Sequence, residues 1–380
     1  MKQLTILFSL AVLLLMGSCA KEDPFSIDSG DKVLVRYTAQ LPGYIDSRAI
    51  GDGKKADELF FWVFDEDNHE LKALRQHNIA FNNAGQATVE VSLTPGHTYS
   101  FVFWAQNKEC QVYDPNNSDR ITIDYWGLNA PVIANDDLRD AFYALEKNIT
   151  VSTEGQMVER RVTLRRPFCQ LNYGISEEAF DAIKAAGFDL TNAKTYVYVS
   201  NAYTQFGLLE GQPIDTYNCT PVYFELNVMP KGIPEDMLRD IWWLNDPEDE
   251  DSGELKDFVW LSFNYFLTTL PISSTDLNQS TIETFIMIET ADGRTFTSPT
   301  FSNIVVQGKS RTNILVDFFT EDVTFNVVID ENFDDYDHIV NVTGQSVAGT
   351  SQMPGGTYGI VNNEASQLSN RLKNGGLAHE

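Results

Sequence analysis

Asp31-Lys32-Val33-Leu34-Val35-Arg36-Tyr37-Thr38-Ala39-Gln40-Leu41 alternates without a break. Val33, Val35, Tyr37, Ala39 and Leu41 fall on one face, and Lys32, Leu34, Arg36, Thr38 and Gln40 on the other. Successive side chains of an extended chain point to opposite faces, so a period of two over this length predicts a strand with one side on a core. Pro42-Gly43 ends it, because proline fixes φ and lacks the N–H that a ladder needs. A polar, glycine-containing loop follows over residues 45–53 and holds Arg48-Ala49. An arginine in an exposed loop is where a trypsin-like protease cuts.

Working outward, the same signals recur. Residues 59–64 (Leu-Phe-Phe-Trp-Val-Phe) form a continuous apolar run stopped by Asp65-Glu66-Asp67-Asn68, which suits a central strand buried on both faces. Residues 87–93 and 99–105 read as a strand pair joined through Thr94-Pro95-Gly96. Shorter strands are predicted at 121–125, 149–151 and 158–164. Within 136–147, Leu138, Ala141, Phe142 and Leu145 recur at helical spacing behind Asp136 and Asp137, predicting one or two helical turns with an aspartate cap. Arg165-Arg166-Pro167 reads as a domain junction.

Beyond it, strands are predicted at 168–173, 194–200, 222–228, 258–267, 282–290, 295–300, 304–306, 312–319 and 323–329. Asp292-Gly293 marks a hairpin. Residues 176–186 read as a short helix capped by Ser176, with Gly187 just past its end. Many short strands with turns at this spacing predict an all-β chain with a few short helices. The expected organisation is two tandem β-sandwiches of transthyretin-like, Greek-key kind, over residues 31–165 and 166–335. Residues 336–380 are rich in Gly, Ser, Asn and Gln, bury too little apolar area to offset ordering, and read as a flexible tail. Ile339-Val340-Asn341-Val342 is the exception and reads as a short strand.

The first residues read as an address. Lys2 precedes an apolar run over residues 4–16, too short for a membrane helix of roughly 20 residues but suited to a signal-peptide core. Met16-Gly17-Ser18-Cys19 follows. It resembles a bacterial lipobox, with residues 1–18 removed, Cys19 acylated and 19–30 a linker. The competing reading is an ordinary secretory signal in which Cys19 is incidental. Ala20-Lys21-Glu22-Asp23 resembles the surface-export signal of Bacteroidetes lipoproteins. Several acyl chains anchor a protein where one alone does not.

The chain carries 54 acidic and 27 basic residues in 380, a net charge of −27. That charge opposes nucleic acid and anionic lipid as partners and favours solubility at a cell exterior. Leaving Cys19 aside, Cys110, Cys169 and Cys219 are an odd, widely spaced set. They make no CxxC site, and either one disulfide or buried thiols fit. The five histidines never fall in HxxxH or HExxH spacing, and neither a phosphate loop nor a GxSxG elbow occurs. The expectation is therefore no catalytic residue, no metal site and no cofactor. Residues 246–254 are acidic but lack the spacing of a calcium loop, and read as a solvated loop. Trp242-Trp243 adjoins it, readable equally as core or as a platform for sugar rings.

Five segments carry a family resemblance: residues 99–107 (Tyr-Ser-Phe-Val-Phe-Trp-Ala-Gln-Asn), 139–144, 162–174, Arg311-Thr312-Asn313 and 321–329. With the lipoprotein head, they resemble the fimbrillin-type pilins of Bacteroidetes. The resemblance implies a surface fimbrial subunit that supports adhesion and is anchored in the outer membrane by its lipid. Its partners would be other fimbrial subunits and a host protein or glycan. It implies cleavage between Arg48 and Ala49, release of the strand carrying Val33, Val35, Tyr37, Ala39 and Leu41, and filling of the groove by a donor strand. The candidate donor is Val323, Phe325, Val327 and Ile329, or residues 339–342. The polar tail departs from the family's strand-forming end. A surface glycan-binding lipoprotein of a polysaccharide-uptake system is the alternative.

Overall fold

The computed structural model describes residues 32–42, 54–125, 135–152, 157–185, 194–214, 219–227, 239–246, 249–268, 281–289, 293, 295–306, 308, 311–317 and 324–330. In chain order the first strands are β1 Val33–Gln40, β2 Glu58–Phe64, β3 Gln76–Ala80, β4 Gln86–Leu93, β5 Thr98–Gln106, β6 Tyr113–Asp114, β7 Arg120–Ile123, β8 Phe142–Thr150 and β9 Met157–Thr163. Then come β10 Cys169–Ser176, helix α1 Glu177–Ala185, β11 Lys194–Tyr203, β12 Gln205–Gly207, β13 Gln212–Pro213 and β14 Cys219–Asn227. The last are β15 Arg239–Asp246, β16 Asp249–Phe266, β17 Thr281–Glu289, β18 Thr295–Thr297, β19 Phe301–Val305, β20 Arg311–Asp317 and β21 Thr324–Asp330. The protein is all-β, as the alternation in its sequence predicts.

Two sheets enclose the first core. One has the order β4-β1-β9 and the other β3-β2-β5-β8. Val33, Val35, Tyr37, Ala39 and Leu41 meet Leu59, Phe61, Val63, Phe101, Phe103 and Ala105 between them. The opposite face of β2 and β5 carries Trp62, Phe64, Val102 and Trp104 into a second core with Phe168, Phe206 and the later strands. This explains the unbroken apolar run of residues 59–64: the strand is covered on both faces, so neither can be polar.

The second core continues between a sheet ordered β15-β16-β10-β20-β21 and one ordered β14-β11-β17-β18, with β19 also on β17. A smaller sheet, β13-β12-β7-β6, mixes strands from before and after Arg166. Arg166 itself is wholly buried. Its guanidinium makes two 2.7 Å hydrogen bonds to the Asp140 carboxylate and lies 4.6 Å from the Phe142 ring centre.

Three local expectations change. Residues 87–93 and 99–105 are not a hairpin: β4 pairs with β1, while β5 pairs with β2 and β8. The turn at Gly96, whose φ is +82°, carries the chain from one sheet to the other. Only Asp137–Arg139 coils, as a 3-10 turn whose Leu138 N–H donates to the Asp136 side chain; from Phe142 onward the expected helix is β8. The acidic stretch is not wholly loop, since Asp249–Glu254 belongs to β16 and pairs with β15. The helix at residue 177 forms as expected, and the strands on either side of Asp292-Gly293 pair antiparallel, Asp292 itself lying outside the described residues. Ser176 Oγ accepts from the Ala179 N–H at 3.2 Å, and β17 turns into β18 with Glu289 opposite Thr295.

Candidate functional site

β1 is the middle strand of its sheet. It runs antiparallel to β4, from Val33 opposite Leu93 to Gln40 opposite Gln86. It runs parallel to β9, from Leu34 beside Met157 to Gln40 beside Thr163. Both of its backbone edges are therefore paired. The far end is fastened too: Leu41 N–H donates to the Gly85 carbonyl at 2.9 Å, and Leu164 N–H donates to the Gln40 carbonyl at 2.8 Å. The Gly85 turn has a φ of +68° and is held by the Asn82 side chain, which accepts from the Ala84 and Gln86 N–H groups. A left-handed φ at that place favours glycine.

The inward side chains of β1 lie in a deep apolar slot. Val33, Val35, Tyr37, Ala39 and Leu41 are between 0 and 4% exposed. Their burial contributes on the order of 8 kcal/mol, as an upper figure for apolar area removed from water. Tyr37 is the largest of them. Its ring centre lies 4.9 Å from that of Phe101, 5.2 Å from Phe103 and 6.4 Å from Phe61. Arg160 of β9 approaches the same ring at 5.9 Å and pairs with Glu146 at 3.1 Å. The Tyr37 hydroxyl is buried without a hydrogen-bond partner, and that burial pushes its pKa well up.

On the outer face Arg36 ties β1 to both neighbours. Its Nε donates to Glu90 of β4 at 2.6 Å and its Nη1 to Glu159 of β9 at 3.0 Å. The Glu90 hydrogen bond is the leading cause of the guanidinium's raised pKa. The register alone places these three residues in a row, since Arg36 is opposite Glu90 and beside Glu159.

The strand predicted to leave is thus a fully packed insert, and its five inward residues are the five the alternation marks. Cys19, Arg48 and Ala49 lie outside the described residues, as do Val323 and residues 339–342. Phe325, Val327 and Ile329 belong to β21, which pairs with β20 at the edge of its sheet. Trp242 and Trp243 lie on β15, opposite Lys256 and Leu255. Among the described residues, no group of three or more His, Cys, Asp and Glu is gathered for a metal. Met157 is an exposed large hydrophobic residue among those whose burial is described. Cys110 is a buried free thiol, its pKa raised by burial. The Arg36 clamp was not foreseen; its partners are 54 and 123 residues away along the chain.

Together these features describe a multi-sheet β protein whose first strand fills a slot in its own fold. The chain belongs to a family of unknown function, DUF6562, which matches residues 31–352. No curated protein matches it by sequence. Among solved structures it is similar to the tip fimbrial protein Mfa3 of Porphyromonas gingivalis, at 13% identity over 79% of this chain and 99% of that one, with a TM-score of 0.39. It is similar to a proposed polysaccharide-binding protein (DUF1812) of Bacteroides thetaiotaomicron, at 12% identity, covering 78% and 96%, with a TM-score of 0.41. It is also similar to a proposed cell adhesion protein of Bacteroides uniformis, at 11% identity, covering 80% and 99%, with a TM-score of 0.44.

Proposed function

We propose that this protein is a structural subunit of a cell-surface fimbria, without enzymatic activity. It is exported as a lipoprotein acylated at Cys19 and assembled by strand exchange once β1 is cut away between Arg48 and Ala49. The observation that carries this reading is the place of β1. It is central in its sheet and buried along one face; it is the first of the described elements, and Arg48 follows it in the sequence. A cut there would free the strand without breaking any other part of the chain. The groove left behind would expose two unpaired strand edges and an apolar floor, and an incoming strand satisfies both needs at once.

The test is the N-terminus of the protein in surface-sheared material, read by mass spectrometry. A chain starting at Ala49 in fibres, with acylated Cys19 in the membrane fraction, is the expected result. A fibre-bound chain that always begins at acylated Cys19 overturns the cleavage step.

A further inference from the structure

The outer rim of the same groove holds a charge pattern, and it bears on which strand can replace β1. Glu90 and Glu159 converge on the one guanidinium of Arg36 from opposite sides. Removing β1 would leave β4 and β9 roughly 9.6 Å apart, two strand spacings, with both carboxylates directed at the empty position. Arg161, on the same strand and two residues past Glu159, stands beside Thr38 and not beside Arg36. A strand entering the groove must therefore put a side chain between two acids, and like charges on neighbouring strands oppose pairing.

We propose that the groove is coded for a donor strand carrying Lys or Arg at the outward position between Glu90 and Glu159. The donor is then a strand of a different protein and not residues 323–329 or 339–342 of a second copy of this chain. The inference rests on the strand-exchange reading above. Its second support is this chain's own sequence: no Lys or Arg occurs between Arg311 and Arg371. If Phe325, Val327 and Ile329 faced the groove floor, Thr324, Asn326, Val328 and Asp330 would face outward, with an acid and no cation. Residues 339–342 have no cation either, and His338 is the single titratable base of the whole stretch. Either of these segments would thus leave the two glutamates uncompensated or add a third carboxylate to them.

The side chains of Arg36, Glu90 and Glu159 are 36, 44 and 63% exposed, so the discrimination falls as salt rises. The experiment uses the full mature chain with a specific protease site built into the loop at residues 46–50. After nicking, β1 stays paired, and fluorescent peptides compete with it, followed by anisotropy. Native peptide 31–42 is expected to exchange in. The same peptide with Arg36→Glu and native peptide 322–331 are expected to enter roughly tenfold less well, and Asn326→Arg in the latter to recover entry. Glu90→Gln with Glu159→Gln in the acceptor should still admit peptides but erase the differences among them. Equal entry regardless of charge overturns the code and leaves strand exchange standing. Tight entry of native 322–331 overturns the conclusion that the donor is another protein. Entry by no peptide, native 31–42 included, overturns the strand-exchange reading and this inference with it.

Discussion

Tyr37 is the residue whose replacement measures how β1 is held. Its ring is fully buried against Phe61, Phe101 and Phe103, so Tyr37→Ala removes a large core side chain and leaves a cavity in a slot that rigid neighbours cannot collapse. Such substitutions cost about 3–5 kcal/mol, a large fraction of the 5–15 kcal/mol that keeps a typical domain folded. Tyr37→Phe is expected to behave oppositely to most buried Tyr→Phe changes. The hydroxyl has no hydrogen-bond partner, so its removal deletes an unmet desolvation cost of about 1–3 kcal/mol and keeps the ring. Urea unfolding of the two variants should therefore bracket the wild type, with Ala far below it and Phe equal or above. In protein nicked between residues 43 and 53, Tyr37→Ala should speed release of the β1 peptide by roughly a hundred- to several-thousandfold, since each 1.4 kcal/mol is a factor of ten. A cost below about 1.5 kcal/mol for Tyr37→Ala would refute the view that this ring anchors the strand. A loss of more than about 1 kcal/mol for Tyr37→Phe would show that the hydroxyl is engaged.

Asp140→Ala should destabilise by about 3–5 kcal/mol, because it removes a buried carboxylate that holds the buried Arg166 guanidinium by two hydrogen bonds. Asp140→Leu with Arg166→Met should recover most of that loss in the same chemical denaturation assay. Tyr113, Tyr125 and Tyr173 are raised well above the ordinary tyrosine range, chiefly by burial. A raised folded pKa leaves stability whole below the unfolded value near 10 and removes it as pH climbs past that value. Three such groups lower stability by about 4 kcal/mol per pH unit above roughly pH 10. Tyrosinate absorbance at 295 nm should therefore appear together with loss of tertiary structure, and ionisation of these three in the folded protein near pH 10 would contradict it.

The sequence made the first strand legible because the two faces of its sheet differ so sharply. One meets the Phe61-Phe101-Phe103 floor and the other meets solvent and the rim charges. The run at residues 59–64 was legible for the opposite reason, since both of its faces are covered. β8 was misread where these cases mix. Phe142 and Ala144 face the first core while Tyr143 and Leu145 lie against the second, so apolar residues fall on both sides of a strand and imitate a helical spacing. The pairing of residues 87–93 with 99–105 failed because a Pro-Gly turn encodes a change of direction, not the sheet that the next strand joins. β15 and the acidic start of β16 went unseen because strand pairing there overrides a composition that reads as solvated loop. The Arg36–Glu90–Glu159 row was invisible because it exists only once the register is set across three strands.

Under the proposed strand exchange, a first strand that leaves would face two opposed requirements. It must be held well enough that the precursor stays folded and its groove closed during export, yet be lost without dismantling the rest. The position of β1 meets both. Its hydrogen bonds, its buried face and its Arg36 clamp are all made to strands far along the chain, which keeps the intact protein closed. Among the described elements β1 comes first and is joined to the next by residues 41–57, so a cut there would turn an intramolecular contact into a bimolecular one. Before the cut, the tether gives β1 a high effective concentration that a free competitor strand cannot match. After the proposed cut, occupancy would follow affinity and concentration, and the charged rim would decide among competitors that all satisfy the apolar floor. In that reading, selection at the rim would be the step at which one donor is taken and another refused.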